Sequence, residues 1–341
     1  MMLWKSVGNL IVTLLFATTE QSTSSTAIIN NSSSRPEDHQ VRLQNGRLLG
    51  YAEYGPKDGF PVLYCHGFPF CRREWNLFVP PTNDDNLLED LKIRLIIPDR
   101  PGYGLSDWNP DCRQVAVWVT DVKELLEDHL QIIGPSNNDN DDRLFSVLGV
   151  SGGAPYAAAC AHTLSNVKSL GIVSGMGPAE APGTTKGLSW TIPRVWPGFV
   201  RRLVLWVFAY GARNSSTDPV AFAKQCSQGM CPLDQTFLNN NNHPERQEAF
   251  VNTLKEAFRE GVRGADSDAE SYRRHWGFDL QEISCNTCLW HGTDDANVPV
   301  SVARWMAEQI PTCRQTNILE NEGHLTIACN HMRDILSTIV Q

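Results

Sequence analysis

The stretch from Leu144 to Ala161, LFSVLGVSGGAPYAAACA, constrains the fold of this chain more than any other. The apolar run that ends at Leu148 predicts a buried strand, and the alanine-rich run after Pro155 predicts a helix. Between the two lies GVSGG, which leaves about one residue to turn the chain from strand to helix. We therefore expect Ser151 to have a strained backbone at the centre of a tight turn.

The glycines around this serine have separate roles in the prediction. Gly149 and Gly153 supply the room that a strand and a helix need when they meet so closely. The amide of Gly152 lies in the first turn of the predicted helix, where the helix dipole favours negative charge. The turn therefore predicts a nucleophilic serine oxygen and half of an oxyanion hole at one place.

Composition limits the classes of function. The 341 residues are enough for one large α/β domain with an insertion, or for two ordinary domains. The net charge is -9, without a basic block or a basic-aromatic stripe, which argues against nucleic acid as a partner and favours small or neutral substrates. The ten cysteines do not require a disulfide framework, and the CxxC spacing at 285–288 has no second pair, so neither a metal nor another cofactor is predicted.

Residues 1–38 are predicted to be an N-terminal targeting segment followed by a polar linker. Lys5, the mostly apolar run from Leu10 to Ala17 and the Ser/Thr-rich stretch that follows resemble a secretory signal peptide. Sequons for N-glycosylation in the sequences 30–33 and 214–216 are compatible with secretion. The secretory pathway is the favoured location, and an uncleaved membrane anchor or an organelle-targeting segment stay open as alternatives.

Residues 39–177 and 284–341 have the pattern of an α/β core. Asn45-Gly46 lies between two alternating runs and predicts a β-hairpin at the start. The other predicted strands are 61–65, 93–98, 144–148, 170–173, 287–290 and 316–319. A helical stripe at 115–130 and the other helices alternate with these strands, which predicts a doubly wound, mostly parallel sheet.

Residues 178–283 are predicted to form a mostly helical insertion that covers the carboxyl ends of the strands and shapes a pocket. The segment is rich in Trp, Pro and Arg, and its patterns include an amphipathic helix at 245–262. Its apolar run from Leu203 to Tyr210 is interpreted as packing within the insertion. The alternative is peripheral membrane contact, through this run or through the N-terminus.

At this point the sequence resembles the α/β-hydrolase superfamily, from about Val41 to the C-terminus. The motifs that carry the resemblance are HGFP at 66–69, DRPGYGLSD at 99–107, GVSGG at 149–153, HGTDDANVP at 291–299 and GHL at 323–325. The superfamily orders its catalytic residues as nucleophile, acid and histidine. The resemblance therefore implies the triad Ser151, Asp295 and His324, with the helical insertion as the cap.

The resemblance also implies the remaining site residues. The amides of Phe68 and Gly152 would form the oxyanion hole, and His66 and Gly67 would support the loop that carries Phe68. For the acid, Asp294 and Asp99 are alternatives to Asp295. Family members usually place the acid three residues before a Val-Pro pair, which favours Asp295, and the expected role of Asp99 is to hold its own loop.

These residues predict a serine hydrolase that cleaves a small or medium carboxylic ester without a cofactor. Relatives that open epoxides or displace halide carry aspartate at the position of Ser151, so serine favours acyl transfer to water. Two alternatives stay open: an aminopeptidase of the proline-iminopeptidase type or a carbon-carbon hydrolase, and a small-molecule receptor that binds without turnover. The aminopeptidase would need acidic cap residues to bind the amine of its substrate.

Overall fold

A computed structural model describes residues 37–79, 86–134, 143–184, 198–215 and 218–341. The predicted targeting segment and the sequons at 30–33 therefore lie outside the described residues, as does the last residue of the sequon at 214–216. Within the described ranges, no helix has the length and apolar character needed to cross a membrane.

The core of the molecule is an eight-stranded sheet with the order β1-β2-β4-β3-β5-β6-β7-β8. Its strands are β1 (Asp38–Arg42), β2 (Leu48–Tyr54), β3 (Phe60–Cys65), β4 (Ile93–Pro98), β5 (Phe145–Val150), β6 (Val167–Val173), β7 (Asn286–Gly292) and β8 (Cys313–Leu319). The β1-β2 and β2-β4 pairs are antiparallel and the other five pairs are parallel. This topology confirms the predicted fold class, because the opening hairpin is followed by parallel strands whose carboxyl ends share one edge.

Helices cover both faces of this sheet and fill the insertion. They are α1 (Trp75–Phe78), α2 (Leu87–Asp90), α3 (Val119–Glu124), α4 (Ala154–Thr163), α5 (Gly198–Asn214), α6 (Pro219–Ser227), α7 (Pro232–Leu238), α8 (Pro244–Ala257), α9 (Arg263–Ser271), α10 (Val300–Gln309) and α11 (Thr326–Val340). The stripe predicted at 115–130 is a 3-10 turn, then α3, then a π turn at Leu125–His129. The helix predicted at 245–262 ends earlier, at Ala257, where the cap residue Phe258 has left helical geometry with a ψ of 15°. Gly261, with a φ of +107°, lies in the turn that follows.

The apolar side chains of the core form two clusters, one on each face of the sheet. Val147 of β5 belongs to one cluster together with Ala157 of α4. The next residue, Leu148, belongs to the other cluster, with Ile335 of α11 and Phe250 of α8. Since neighbouring residues of a strand point to opposite faces, β5 is covered on both sides, and the insertion shares one of the two cores.

Helix α5 divides its apolar residues between the interior and the surface. Val204 and Val207 are buried, whereas Leu203, Trp206 and Tyr210 are 60%, 51% and 42% exposed. The interpretation of this run as packing within the insertion therefore holds for one face of the helix only. Peripheral membrane contact through the exposed face stays a proposal.

Candidate active site

The serine turn lies between β5 and α4 and has the strained backbone that the sequence predicts. Ser151 has a φ of +53°, a left-handed conformation that a residue with a side chain rarely adopts. A Cβ on Gly153 would lie 1.9 Å from the Cys65 carbonyl oxygen, and one on Gly149 would lie 2.6 Å from the Cβ of Ala157. Only glycine at these two positions lets the helix start this close to the neighbouring strands.

Ser151, His324 and Asp295 form one hydrogen-bonded chain although they come from three separate strand ends. The Oγ of Ser151 lies 2.8 Å from the Nε2 of His324, and the Nδ1 of the same ring lies 2.7 Å from the Oδ2 of Asp295. The three residues are between 6% and 8% exposed, so little water competes for these bonds. In this arrangement the Nδ1–H donates to the carboxylate, which leaves Nε2 free to accept the serine proton.

The second oxygen of Asp295 is held by its own loop. Its Oδ1 accepts hydrogen bonds from the amides of Asn297 at 2.8 Å and Val298 at 2.9 Å. The buried ring of His291 lies beside the carboxylate and donates from Nε2 to the Val298 carbonyl at 2.8 Å, which agrees with a structural role for this histidine. These contacts fix the plane of the carboxylate that faces His324.

The two alternative acids lie elsewhere. Asp294 accepts a hydrogen bond from the hydroxyl of Thr293 at the exposed side of the loop. Asp99 is fully buried and accepts from the backbone amides of Arg72 at 2.7 Å and Leu105 at 2.9 Å. The structure thus brings Asp295 to the histidine and places Asp99 within its own loop.

The electrostatics of the pair favour a charged acid and a basic histidine. Burial alone would raise the pKa of Asp295, but the adjacent His324 outweighs it and holds that pKa below its ordinary value. Burial would likewise lower the pKa of His324, and the carboxylate of Asp295 more than compensates and raises it. The result is a stronger base beside Ser151 than a free imidazole provides.

The two amides expected to bind an oxyanion lie next to each other. A Cβ on Gly152 would lie 3.0 Å from the amide nitrogen of Phe68 and 2.7 Å from the Cβ of that residue. Within the described residues, the Phe68 amide donates no hydrogen bond to the protein. The Phe68 amide therefore lies close to Gly152, as an oxyanion hole made of the two amides would require.

His66 supports the Phe68 loop from the interior. Its Nδ1 donates to the Gly67 carbonyl at 3.0 Å, and its Nε2 accepts from the Arg100 amide at 3.2 Å. Burial, together with the Arg100 cation, lowers the pKa of His66 well below its ordinary value, so the ring is neutral. Both ring nitrogens are occupied by the backbone, which is the arrangement expected of a supporting residue.

A glutamate that the sequence analysis did not single out also holds this loop. Glu74, at the start of α1, accepts hydrogen bonds at Oε2 from the Gly67 amide and the Tyr64 hydroxyl, each at 2.8 Å. A Cβ on Gly67 would lie 2.6 Å from the other oxygen of Glu74 and 3.5 Å from the Cβ of Ser151. Burial raises the pKa of Glu74 to about 7, against the two hydrogen bonds that favour the carboxylate.

The loop that carries His324 is held by Asp234, a second residue that the sequence analysis missed. This buried side chain of α7 accepts hydrogen bonds from the amides of His324 at 2.8 Å, Leu325 at 2.8 Å and Thr326 at 3.1 Å. These amides open α11 and have no partners within that helix. The acceptor that holds the histidine in place therefore comes from the insertion.

The described residues offer no cluster of three or more His, Cys, Asp or Glu side chains that could hold a metal ion. All ten cysteines are free thiols, including Cys285 and Cys288 of the CxxC sequence.

Known proteins are similar to this chain in sequence and in fold. The sequence model of the alpha/beta hydrolase family matches residues 62–334. A non-heme chloroperoxidase of Streptomyces lividans is 32% identical over 89 residues, which make up 26% of this chain and 29% of that protein. A cis-3-alkyl-4-alkyloxetan-2-one decarboxylase of Xanthomonas campestris pv. campestris is 30% identical over 113 residues, 33% of this chain and 32% of that protein.

The matched segments thus span about a third of the length of these curated relatives. Among solved structures, an esterase of Thermogutta terrifontis superposes with a TM-score of 0.60 at 22% sequence identity. The superposition covers 89% of this chain and 99% of that chain. At this identity the likeness concerns the fold alone.

Proposed function

Because this chain belongs to the alpha/beta hydrolase family, we propose that it is a serine hydrolase that cleaves small or medium carboxylic esters through an acyl-enzyme on Ser151. The observation that carries the proposal is the buried hydrogen-bonded chain from Ser151 through His324 to Asp295. A serine is a weak nucleophile at its ordinary pKa, and an adjacent base is the usual means of its activation.

The geometry assigns a role to each group in acylation. Ser151 Oγ attacks the ester carbonyl while its proton passes to Nε2 of His324, and the charge of the imidazolium is balanced by Asp295. The carbonyl oxygen becomes an oxyanion between the amides of Phe68 and Gly152. The ester C–O bond then breaks as the imidazolium returns its proton to the departing alkoxide, which leaves as the alcohol.

Deacylation repeats these steps with water. His324 takes a proton from the water molecule, whose oxygen attacks the acyl carbon of the Ser151 ester. A second oxyanion forms and collapses, the acid is released, and the proton returns to the serine oxygen. No step needs a cofactor.

The aminopeptidase alternative depends on free acidic groups in the insertion, and most of those are engaged. Glu256 forms ion pairs with Arg72 at 2.7 Å and Arg73 at 3.4 Å. Glu270 pairs with Arg274 at 3.0 Å and lies 3.3 Å from Arg201. These pairings favour an ester over a substrate that is bound by its amine. Turnover of an ester would distinguish the proposed function from the carbon-carbon hydrolase and from the receptor.

Labelling with a fluorophosphonate probe tests the proposal. The purified chain is expected to label, and Ser151→Ala and His324→Ala are expected to lose the label. Ser174→Ala is the matched control, because Ser174 is also buried with a positive φ of 46° and its Oγ has no hydrogen-bond partner among the described residues. It is expected to label as the parent does.

Turnover of short-chain and long-chain p-nitrophenyl esters and of aminoacyl amides then identifies the substrate class. Faster turnover of the aminoacyl amides would move the aminopeptidase to first place. A folded parent that neither labels nor turns over any substrate would favour the receptor.

A further inference from the structure

The two amides of the oxyanion hole are connected to one buried carboxylate of the insertion, Asp268 on α9. We propose that Asp268, acting through Arg100 and Tyr272, is a positioning residue that sets the direction of the Phe68 amide and its separation from the Gly152 amide. The inference rests on the proposed serine hydrolase function. Asp268 and Tyr272 lie outside the predicted triad and the sequence motifs, whereas Arg100 belongs to the DRPGYGLSD motif.

Arg100 holds the peptide group that carries the Phe68 amide. Its guanidinium donates to the Gly67 carbonyl oxygen at 3.2 Å and to the His66 carbonyl oxygen. The Gly67 carbonyl and the Phe68 N–H belong to one planar peptide group and point in opposite directions. A donor that fixes the carbonyl on one side therefore fixes the direction of the N–H on the other, where the oxyanion would lie.

Tyr272 holds Gly152, the residue that carries the other amide. Its hydroxyl donates to the Gly152 carbonyl oxygen at 2.8 Å, and the same hydroxyl lies 3.3 Å from the Oδ2 of Asp268. This carbonyl belongs to the peptide group that follows Gly152, so the contact fixes the position of the residue, and hence its separation from Phe68, rather than the direction of its own N–H. The ring of Tyr272 is fully buried and meets the Phe68 ring edge to face, with centroids 6.0 Å apart. One side chain thus contacts both residues whose amides form the oxyanion hole.

Asp268 connects these two supports. The Nε and Nη2 of Arg100 donate to its Oδ2 at 2.9 and 2.8 Å. The hydroxyls of Tyr103, at 2.9 Å, and Tyr156, at 2.6 Å, satisfy the remaining positions of the carboxylate, which is 3% exposed. A buried ion pair with this number of hydrogen bonds has one geometry, because any displacement leaves a charge unpaired.

Oxyanion stabilisation depends on donors that are already in place when the charge forms. A displacement of about 1 Å in a positioned group is enough to lower a rate strongly. Loss of the Tyr272 hydroxyl removes the contact that fixes the Gly152 carbonyl but leaves both amides present. The expected effect is a fall of about tenfold in kcat, less than the roughly hundredfold or more for loss of a donor.

The test compares Tyr272→Phe with Tyr156→Phe. Both variants remove one buried hydroxyl that contacts Asp268, and both keep the aromatic ring, but only Tyr272 contacts Gly152. The assays are kcat and KM for a p-nitrophenyl ester, and inhibition by a trifluoromethyl ketone. Ser151 Oγ adds to that ketone, its proton passes to His324, and the ketone oxygen becomes the oxyanion.

For Tyr272→Phe we expect kcat to fall about tenfold with KM unchanged, and affinity for the ketone to fall by a similar factor. For Tyr156→Phe, which loses one hydrogen bond to Asp268 but no contact to Gly152 or Gly67, we expect a smaller fall in both quantities. Thermal unfolding checks that both variants fold. Asp268→Asn, which keeps the volume and removes the charge, is expected to act in the same direction as Tyr272→Phe.

An unchanged kcat in Tyr272→Phe or in Asp268→Asn, or a change in KM alone, would overturn the positioning role. The proposed function fails separately: in that case the parent itself does not react with the fluorophosphonate or the ketone. A parent that reacts normally while Tyr272→Phe and Asp268→Asn keep its kcat refutes this inference only.

Discussion

Glu74 provides the prediction that tests the electrostatics of the site most directly. Its side chain is 1% exposed, and both of its hydrogen bonds at Oε2 come from neutral donors, the Gly67 amide and the Tyr64 hydroxyl. Burial raises its pKa to about 7 from an ordinary value of 4.5. Glu74→Gln keeps the size and an acceptor oxygen, and it removes the ionisation.

The difference between the pKa values of Glu74 in the folded and the unfolded chain sets the magnitude and the sign of the effect of pH on stability. Between pH 4.5 and 7 the folded chain holds a proton on Glu74 that the unfolded chain has lost, so stability falls as the pH rises through this window. The total is about 3 kcal/mol, fully present below pH 4.5 and lost above pH 7. Glu74→Gln cannot lose this contribution, so its stability relative to the parent should rise by about 3 kcal/mol from pH 4 to pH 8.

Urea denaturation at several pH values measures this difference, and Glu53→Gln is the control. Glu53 is also buried, but Arg94 and Lys57 beside it outweigh the burial and hold its pKa below the ordinary value. The contribution of Glu53 to stability is lost only as the pH falls below its ordinary pKa. The difference in stability between Glu53→Gln and the parent should therefore be constant from pH 5 to pH 8. A flat difference for Glu74→Gln as well would refute the reasoning, because Glu74 would then stay ionised throughout.

Three further changes test other parts of the site. Asp295→Asn should lower kcat roughly 10³-fold or more and shift the acid limb of kcat/KM to lower pH, because Asp295 raises the pKa of His324; a pH-rate profile measures both. Gly153→Ala should destabilise the fold by about 3 kcal/mol or more in urea, since its Cβ would lie 1.9 Å from the Cys65 oxygen, whereas Gly198→Ala, with no neighbour nearer than 3.9 Å, should cost far less. Asp234→Asn should cost about 1–3 kcal/mol and lower kcat, because an amide nitrogen would then face the backbone N–H groups of the histidine loop; denaturation and ester turnover measure the two effects.

The fold could be predicted from the sequence because the patterns that indicate its strands and helices are local. Alternation around Asn45-Gly46 predicts the hairpin, and short apolar runs predict the parallel strands, both of which the structure contains. The bounds were less accurate. The strand predicted at 144–148 extends to Val150 in the structure. Gly149, predicted to belong to the turn, still pairs with Ile172 in the sheet.

The supports of the site could not be predicted in the same way. Asp234 meets the amide of His324 across 90 residues of sequence, and Asp268 meets Arg100 across 168. Such contacts depend on where the insertion helices lie on the sheet, which no periodicity or spacing records. Glu74 is close to Gly67 in sequence, but it follows Arg72 and Arg73 and therefore has the pattern of a solvated charged segment.

The insertion is connected to the core by charge as well as by apolar contact. Its Asp268 pairs with Arg100 and its Glu256 pairs with Arg72, and both arginine side chains are almost inaccessible to solvent. A rigid movement of α9 away from the sheet would leave the Arg100 cation buried without Asp268, at a cost of about 3–5 kcal/mol. Arg72 differs, because it keeps its ion pairs with Asp38 and Asp99 when Glu256 is lost. A rigid movement of α9 therefore carries a larger electrostatic cost than a movement of α8 alone.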